Sequence, residues 1–197
     1  MKKNFIIFVL FILVSFSIFA ERIVGTDKLE YNQKTQLYHY GNEKEPFTGI
    51  EKAYYEDKSL KYELPYKNGK FDGKAIEYYP SGKIESESFY VNGKLNGKSI
   101  EYYKNGNLKS DGNYKDGKRD GLTKTYFEDG TIRSEIYYKN GELDGLAKEY
   151  YGNGQVYIQE NYKNGELDGE SLNFYKNGKL KGREVYKDGK LIESSVK

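Results

Sequence analysis

Glycine recurs every 24 residues along most of this chain. Gly49, Gly73, Gly97, Gly121, Gly145 and Gly169 form one series; Gly69, Gly93, Gly117, Gly141, Gly165 and Gly189 form a second; Gly82, Gly106, Gly130, Gly154 and Gly178 form a third. A fixed period of this length marks a repeat architecture, in which each unit buries its apolar face only against its neighbours. Seventeen of the 22 glycines belong to these series, so the glycine content is a lattice and not a flexible linker. No insertion interrupts it between Gly49 and Gly189.

Each unit carries two turn signals. One is Asx-Gly: Asn68-Gly69, Asn92-Gly93, Asp116-Gly117, Asn140-Gly141, Asn164-Gly165 and Asp188-Gly189. Both residues of such a pair tolerate positive φ, which the two-residue hairpin turn requires. The other is Pro80-Ser81-Gly82, with Asn105-Gly106, Asp129-Gly130, Asn153-Gly154 and Asn177-Gly178 as counterparts. The segments between turns suit strands and leave no room for helices.

The strand after the middle glycine alternates, with Ile84, Ser86, Ser88 and Tyr90 on one side and Glu85, Glu87 and Phe89 on the other. Period-two alternation with one apolar side predicts an antiparallel sheet buried on one face. The Asn92-Gly93 turn then pairs Tyr90 with Leu95. For the preceding strand two registers are open: a two-residue turn sets Tyr79 beside Ile84, and a three-residue turn at Pro80-Ser81-Gly82, favoured here, sets Tyr78 there. It brings Ile76 to the core face if Asp72-Gly73 forms a bulge that reverses the alternation. An aromatic pair recurs in every unit: Tyr54-Tyr55, Tyr78-Tyr79, Tyr102-Tyr103, Tyr126-Phe127, Tyr150-Tyr151 and Phe174-Tyr175. Adjacent strand residues face opposite ways, so one member of each pair leaves the core. The register favoured above leaves Tyr55, Tyr79, Tyr103, Phe127, Tyr151 and Tyr175 as an outward ladder and the candidate partner-binding residues. Cross-strand aromatics also stabilise a thin sheet by ~0.2–1 kcal/mol per pair.

Residues 1–20 read as a cleaved secretory signal: basic Lys2 and Lys3, an apolar run from Phe5 to Phe19 broken only by Ser15 and Ser17, then Ala20 ahead of Glu21 and Arg22. The expected location is therefore outside the cytoplasm: periplasmic, cell-surface or secreted. After cleavage no integral membrane span is expected. The whole chain has 32 Lys+Arg and 30 Asp+Glu, and the signal removes two Lys, leaving thirty of each. A neutral chain with interspersed signs lacks the basic stripe that nucleic acid requires.

The recurring string from Tyr138 through Asn140-Gly141, Leu143, Gly145 and Tyr150-Tyr151 to Gly154 resembles the MORN repeat, and most closely its longer bacterial variant. The resemblance implies stacked β-hairpins in one elongated, curved, all-β sheet. It divides the chain into a signal helix over 1–20, a degenerate capping repeat over 21–48 that includes Glu45-Pro46-Phe47-Thr48, six 24-residue repeats over 49–192 and a tail over 193–197. It further implies a non-enzymatic protein-interaction scaffold. Many bacterial members of the variant are antitoxins partnering toxins, and others have roles in host contact, so a toxin or a host protein is the implied partner. Phospholipid contact is proposed for the wider family, and aromatic ladders also stack sugars. Arg119 stands where Leu is usual, and Lys58 where the first unit lacks its middle Gly.

The residues offer little for chemistry. With no Cys there is no thiolate ligand or thiol nucleophile, and with one His there is no multi-histidine metal site. His39 has no nucleophile motif around it and reads as structural. Glu77, Glu101 and Glu149 repeat at one lattice position among lysines, as cross-strand charge pairs do. Gly152-Asn153-Gly154 reads as a turn, because no βα context makes it a phosphate loop. No catalytic, cofactor or metal residues are therefore expected. Lys109 to Thr125 is the least apolar stretch, with Gly112, Asn113 and Arg119 at core-type positions. It reads as a drifted repeat that frays, or else as a hinge or contact patch.

Overall fold

The computed structural model describes residues 22–196; the expected signal helix over 1–20 lies outside them. From Gly49–Tyr54 to Lys190–Val196 the strands follow one another in chain order as antiparallel neighbours in a sixteen-stranded sheet. Two of the sixteen, Lys70–Phe71 and Lys118–Arg119, are short pieces that precede Gly73–Tyr78 and Gly121–Tyr126. At one strand spacing each, the stack is on the order of 60 Å long. Among the described residues the only helical turn is the 3-10 segment Thr26–Lys28.

The turns explain the glycine lattice. At Asn92-Gly93 φ is +49° and +81°, and at Asp116-Gly117 it is +51° and +84°. These are the doubly left-handed turns whose twist matches that of the flanking strands. The other turn closes with Tyr79 N bonded to Lys83 O and Gly82 N to Tyr79 O, both at 2.8 Å, around a three-residue loop. Lys58, which replaces the glycine of the first unit, is held at φ +67°. The repeats are also tied along the stack. Gly93 N bonds Phe71 O, Gly117 N bonds Leu95 O and Gly141 N bonds Arg119 O, each at 2.8 Å.

The turn register agrees with the sequence expectation, since Tyr78 lies opposite Ile84, but the reversal of alternation does not fall at Asp72-Gly73. Across that dipeptide the pairing moves from Tyr66↔Phe71 to Glu63↔Ile76, a shift of two residues, and a two-residue shift keeps every side chain on its face. The one-residue shift comes later, between Glu77 and Tyr78. Ala75 and Glu77 therefore oppose Ser88 and Ser86, while Ile76 opposes Glu87. So Ile76 and Tyr78 share the Phe89 face, and Tyr79 lies with Ser86 and Ser88 on the Tyr90 face.

The Phe89 face carries cross-strand ion pairs, Lys52 with Glu63, Lys74 with Glu87 at 2.6 Å, Lys98 with Asp111 at 3.0 Å and Lys124 with Glu135 at 2.8 Å, at carboxylates other than the Glu77, Glu101 and Glu149 series expected to form them. The main buried cluster lies at the N-terminal end of the Tyr90 face. There Val24, Phe47 and Tyr66 pack with Leu29, Tyr38, Tyr40, Leu64 and Phe71. Residues 22–48 form this cap: Ile23–Gly25 adds in parallel to the edge strand Gly49–Tyr54, and the hairpin Leu29–Asn32/Leu37–Tyr40 stands beside it. At the other end, Glu193 to Val196 are no loose tail. They continue the last strand, with Val196 opposite Gly182.

Candidate functional site

The aromatic series expected as an outward ladder does form a ladder, but on the Tyr90 face and not on the opposite one, and four of its hydroxyl groups are already engaged. Tyr55 donates to the carbonyl of Tyr78 at 2.6 Å, Tyr79 to that of Tyr102 at 2.6 Å, Tyr103 to that of Tyr126 at 2.8 Å and Tyr151 to that of Phe174 at 2.9 Å. Each ring thus reaches from its own unit to the backbone of the next. Phe127 keeps the ring but has no hydroxyl to donate, and Tyr175 is the last rung. Contrary to the outward placement expected from the alternation, Tyr55, Tyr79, Tyr103, Phe127 and Tyr151 are half-buried; only Tyr175, at 45% exposure, is open. What the ladder offers to a partner is ring faces, about 10 Å apart because each unit spans two strands.

Side chains crowd the rung edges. Lys61 lies over the Tyr55 ring, Lys176 over Tyr151 and Lys181 over Tyr175, at 5.7–5.9 Å from the centroids. Tyr157 meets Tyr151 edge-on at 5.1 Å and is itself 44% exposed. Tyr157 has one sign in the lattice: it stands where the other units place Lys61, Glu85, Lys109, Arg133 and Lys181.

The third aromatic series lies beside the ladder on the same face, and three of its six phenols donate to carboxylates. Tyr66 donates to Glu51 at 2.8 Å, Tyr162 to Glu160 at 2.7 Å and Tyr186 to Glu184 at 2.8 Å. Tyr62 also donates to Glu51, at 3.2 Å. On the Phe89 face Tyr150 donates to Glu135 at 2.7 Å. Burial, with the adjacent Glu51 charge, pushes the Tyr62 phenol up to about 12. Burial and the bond to Glu135 do the same for Tyr150. A phenol whose pKa is raised by folding contributes stability that is whole below its unfolded value near 10. That contribution is lost as pH rises toward 12. We expect the urea midpoint to fall steeply from pH 10 to 12, with tyrosinate absorbance appearing later than in the unfolded chain; coincident titration of the two states would contradict the assignment.

The residues weighed for chemistry fall apart in space. His39 Nδ1 lies 3.3 Å from the carbonyl of Glu43 within the cap. Glu101 is paired with Lys109 at 2.9 Å. Gly152-Asn153-Gly154 is a hairpin turn, closed by Gly154 N on Tyr151 O at 2.9 Å. Among the described residues no group of three or more His, Asp or Glu is placed to hold a metal ion, and no helix is long and apolar enough to cross a membrane.

A single sheet of repeated hairpins, crosslinked by turn amides and by a phenol ladder, defines a hairpin-repeat protein. Consecutive matches to the MORN repeat variant cover residues 47–68, 71–92, 95–116, 119–140, 143–164 and 167–193, and the chain belongs to that family. MORN repeats are non-catalytic interaction modules for proteins or membranes. No curated protein matches the chain.

Proposed function

We propose that this is an exported scaffold that binds a protein partner across the Tyr90 face, with the ladder rings as the contact surface. The observation that supports this is the ladder's own bonding. Four of the hydroxyls are satisfied internally, so those rings are fixed before any partner arrives and little of their rotamer entropy is left to lose on binding. Tyrosine is also among the residue types enriched at interface hot spots. Export is supported by the Lys2-Lys3 start and the apolar run to Phe19. The same surface would serve an antitoxin gripping a toxin or an adhesion module gripping a host protein or glycan.

The test is capture by the purified protein from envelope and host-cell extracts, repeated with two sets of variants. Tyr157→Ser and Tyr175→Ser remove exposed rings that donate no ladder bond; they are expected to abolish capture with the melting curve unchanged. Tyr79→Phe, Tyr103→Phe and Tyr151→Phe keep the rings and lose one hydrogen bond each, about 1 kcal/mol apiece; they are expected to bind while melting earlier. Capture that survives loss of both exposed rings, or that depends instead on Phe89 and Tyr137 of the opposite face, would sink the proposal.

A further inference from the structure

The two departures from the lattice that the sequence sets seven residues apart, Gly112 and Arg119, meet on the Tyr90 face. There they bound a cavity of about 80 Å³ together with Tyr114, Thr123, Tyr138 and Glu101. Strand pairing is intact across the region: Gly112 opposes Ser99, and Tyr114 opposes both Gly97 and Arg119. The repeat has therefore not frayed. It has exchanged apolar filling for a polar hollow.

From these residues we infer a binding site for a carboxylate group, with Arg119 as its anchor. Arg119 donates to the hydroxyls of Tyr114 at 3.3 Å and Tyr138 at 3.4 Å, and its guanidinium lies 5.2 Å from the Tyr138 ring centroid. No carboxylate pairs with it among the described residues, nor with the exposed Arg133, whereas Arg22 is held by Glu43 and Arg183 by Glu170 and Glu193. Two long bonds to neutral acceptors leave most of a five-donor fork unused. The floor supplies a second, independent sign. Thr123 is 7% exposed, and its Oγ1 is fully buried without a hydrogen-bond partner. A Cβ on Gly112 would stand 3.2 Å from that oxygen, so the missing side chain leaves the hydroxyl facing the hollow.

The rest of the protein shows which ligand these phenols take. Tyr66, Tyr162 and Tyr186, at the same lattice position as Tyr114 and Tyr138, each donate to a glutamate: Glu51, Glu160 and Glu184. Glu160 and Glu184 occupy the lattice position held by Gly112 and Ile136 in the two units here. In those two units the internal carboxylate is therefore absent, and a guanidinium stands between the phenols instead. Each phenol that accepts from Arg119 keeps its own proton to donate, so a carboxylate entering from solvent meets the arginine fork and two hydroxyl donors. Glu101 on the wall, already paired with Lys109, disfavours a dianion such as phosphate and leaves a monoanion as the better fit. For the source of the carboxylate, an acidic side chain or chain end of the partner, this rests on the proposed binding face. The site itself does not.

Sodium acetate and inorganic phosphate, each titrated at constant ionic strength and followed by the amide resonances of Gly112 and Thr123 and the Arg119 Nε–H, test it without any partner. Acetate is expected to shift all three saturably. Arg119→Leu restores the residue type of Leu95, Leu143 and Leu167 and so preserves the fold; it is expected to weaken binding at least tenfold. Arg119→Lys keeps the charge and loses the fork, and is expected to bind several-fold more weakly than the parent. Thr123→Val, of equal shape, is expected to weaken acetate without unfolding. Unsaturable shifts, equal binding by Arg119→Lys, or phosphate binding more tightly than acetate would each overturn the assignment. Failure of partner capture with acetate binding intact would remove only the proposed source.

Discussion

Phe47→Ala should detach the N-terminal cap and cost about 3–5 kcal/mol, the usual range for emptying a buried phenylalanine site. Phe47 is 1% exposed and is the largest fully buried side chain of the described residues. Its ring meets Tyr66 edge-on at 5.6 Å and Tyr40 at 6.2 Å, and the Arg22 guanidinium lies 5.7 Å from its centroid. Through Tyr66 the contact runs on to Phe71 at 4.7 Å and from Phe71 to Tyr90 at 5.3 Å. Most other units have no such cluster. Their sheet faces are half-buried, and their stability is a sum of neighbour terms along the stack. The loss should therefore be local. Amide exchange is expected to rise through the cap and the first repeat while Glu142–Tyr150 and the strands beyond keep their protection. With the cap gone, the Gly49–Tyr54 strand becomes an open edge, and open edges pair with other chains. Concentration-dependent association should accompany the variant. A uniform loss of protection along the whole chain, or a cost under about 1 kcal/mol, would show that the cap is not an independent keystone of the stack.

What the sequence made legible is what the backbone demands of particular residues. Asn or Asp followed by Gly at 24-residue spacing leaves few options but left-handed hairpin turns, and those turns set the strands, their order and the single sheet. The face of each aromatic was less accessible. One extra residue at a bulge reverses alternation and two preserve it. Asp72-Gly73 reads the same in either case, because Gly73 at φ +119° fits both. The ladder hydroxyls were hidden for a different reason: their acceptors are main-chain carbonyls one repeat away, and a carbonyl leaves no trace in residue identity. The Arg119 hollow lay between these limits. Its two odd residues were visible in the sequence, but only the register showed that they share a face and a buried threonine.

The second large effect is expected from one turn position compared at two places. Gly69 and Gly117 occupy the same lattice site, with φ of +74° and +84°. Alanine at either must adopt a left-handed backbone, at about 1–2 kcal/mol. At Gly117 nothing lies within 4 Å of an added Cβ, so the backbone cost is the whole cost. At Gly69 the added atom would lie 2.9 Å from Leu37 Cβ, from Pro46 Cβ and from the Tyr38 carbonyl oxygen. These are main-chain or Cβ atoms, which cannot turn aside as a side-chain tip does. One of them, the Tyr38 carbonyl oxygen, belongs to the bonds that hold the cap in place: Tyr38 N bonds Gly69 O at 2.9 Å, Gly69 N bonds Phe47 O at 2.7 Å and Phe47 N bonds Tyr38 O at 2.8 Å. Relieving the clash means opening that triangle, so overpacking adds roughly 1–3 kcal/mol to the strain. Gly69→Ala should thus reach roughly 2–5 kcal/mol, with the exchange pattern of Phe47→Ala, since both act by lifting the cap. Gly117→Ala should loosen only its own hairpin. Denaturant melts of the two variants side by side give the answer directly: equal losses would mean that the cap does not bear on the turn, and that the sheet is held by its repeats alone.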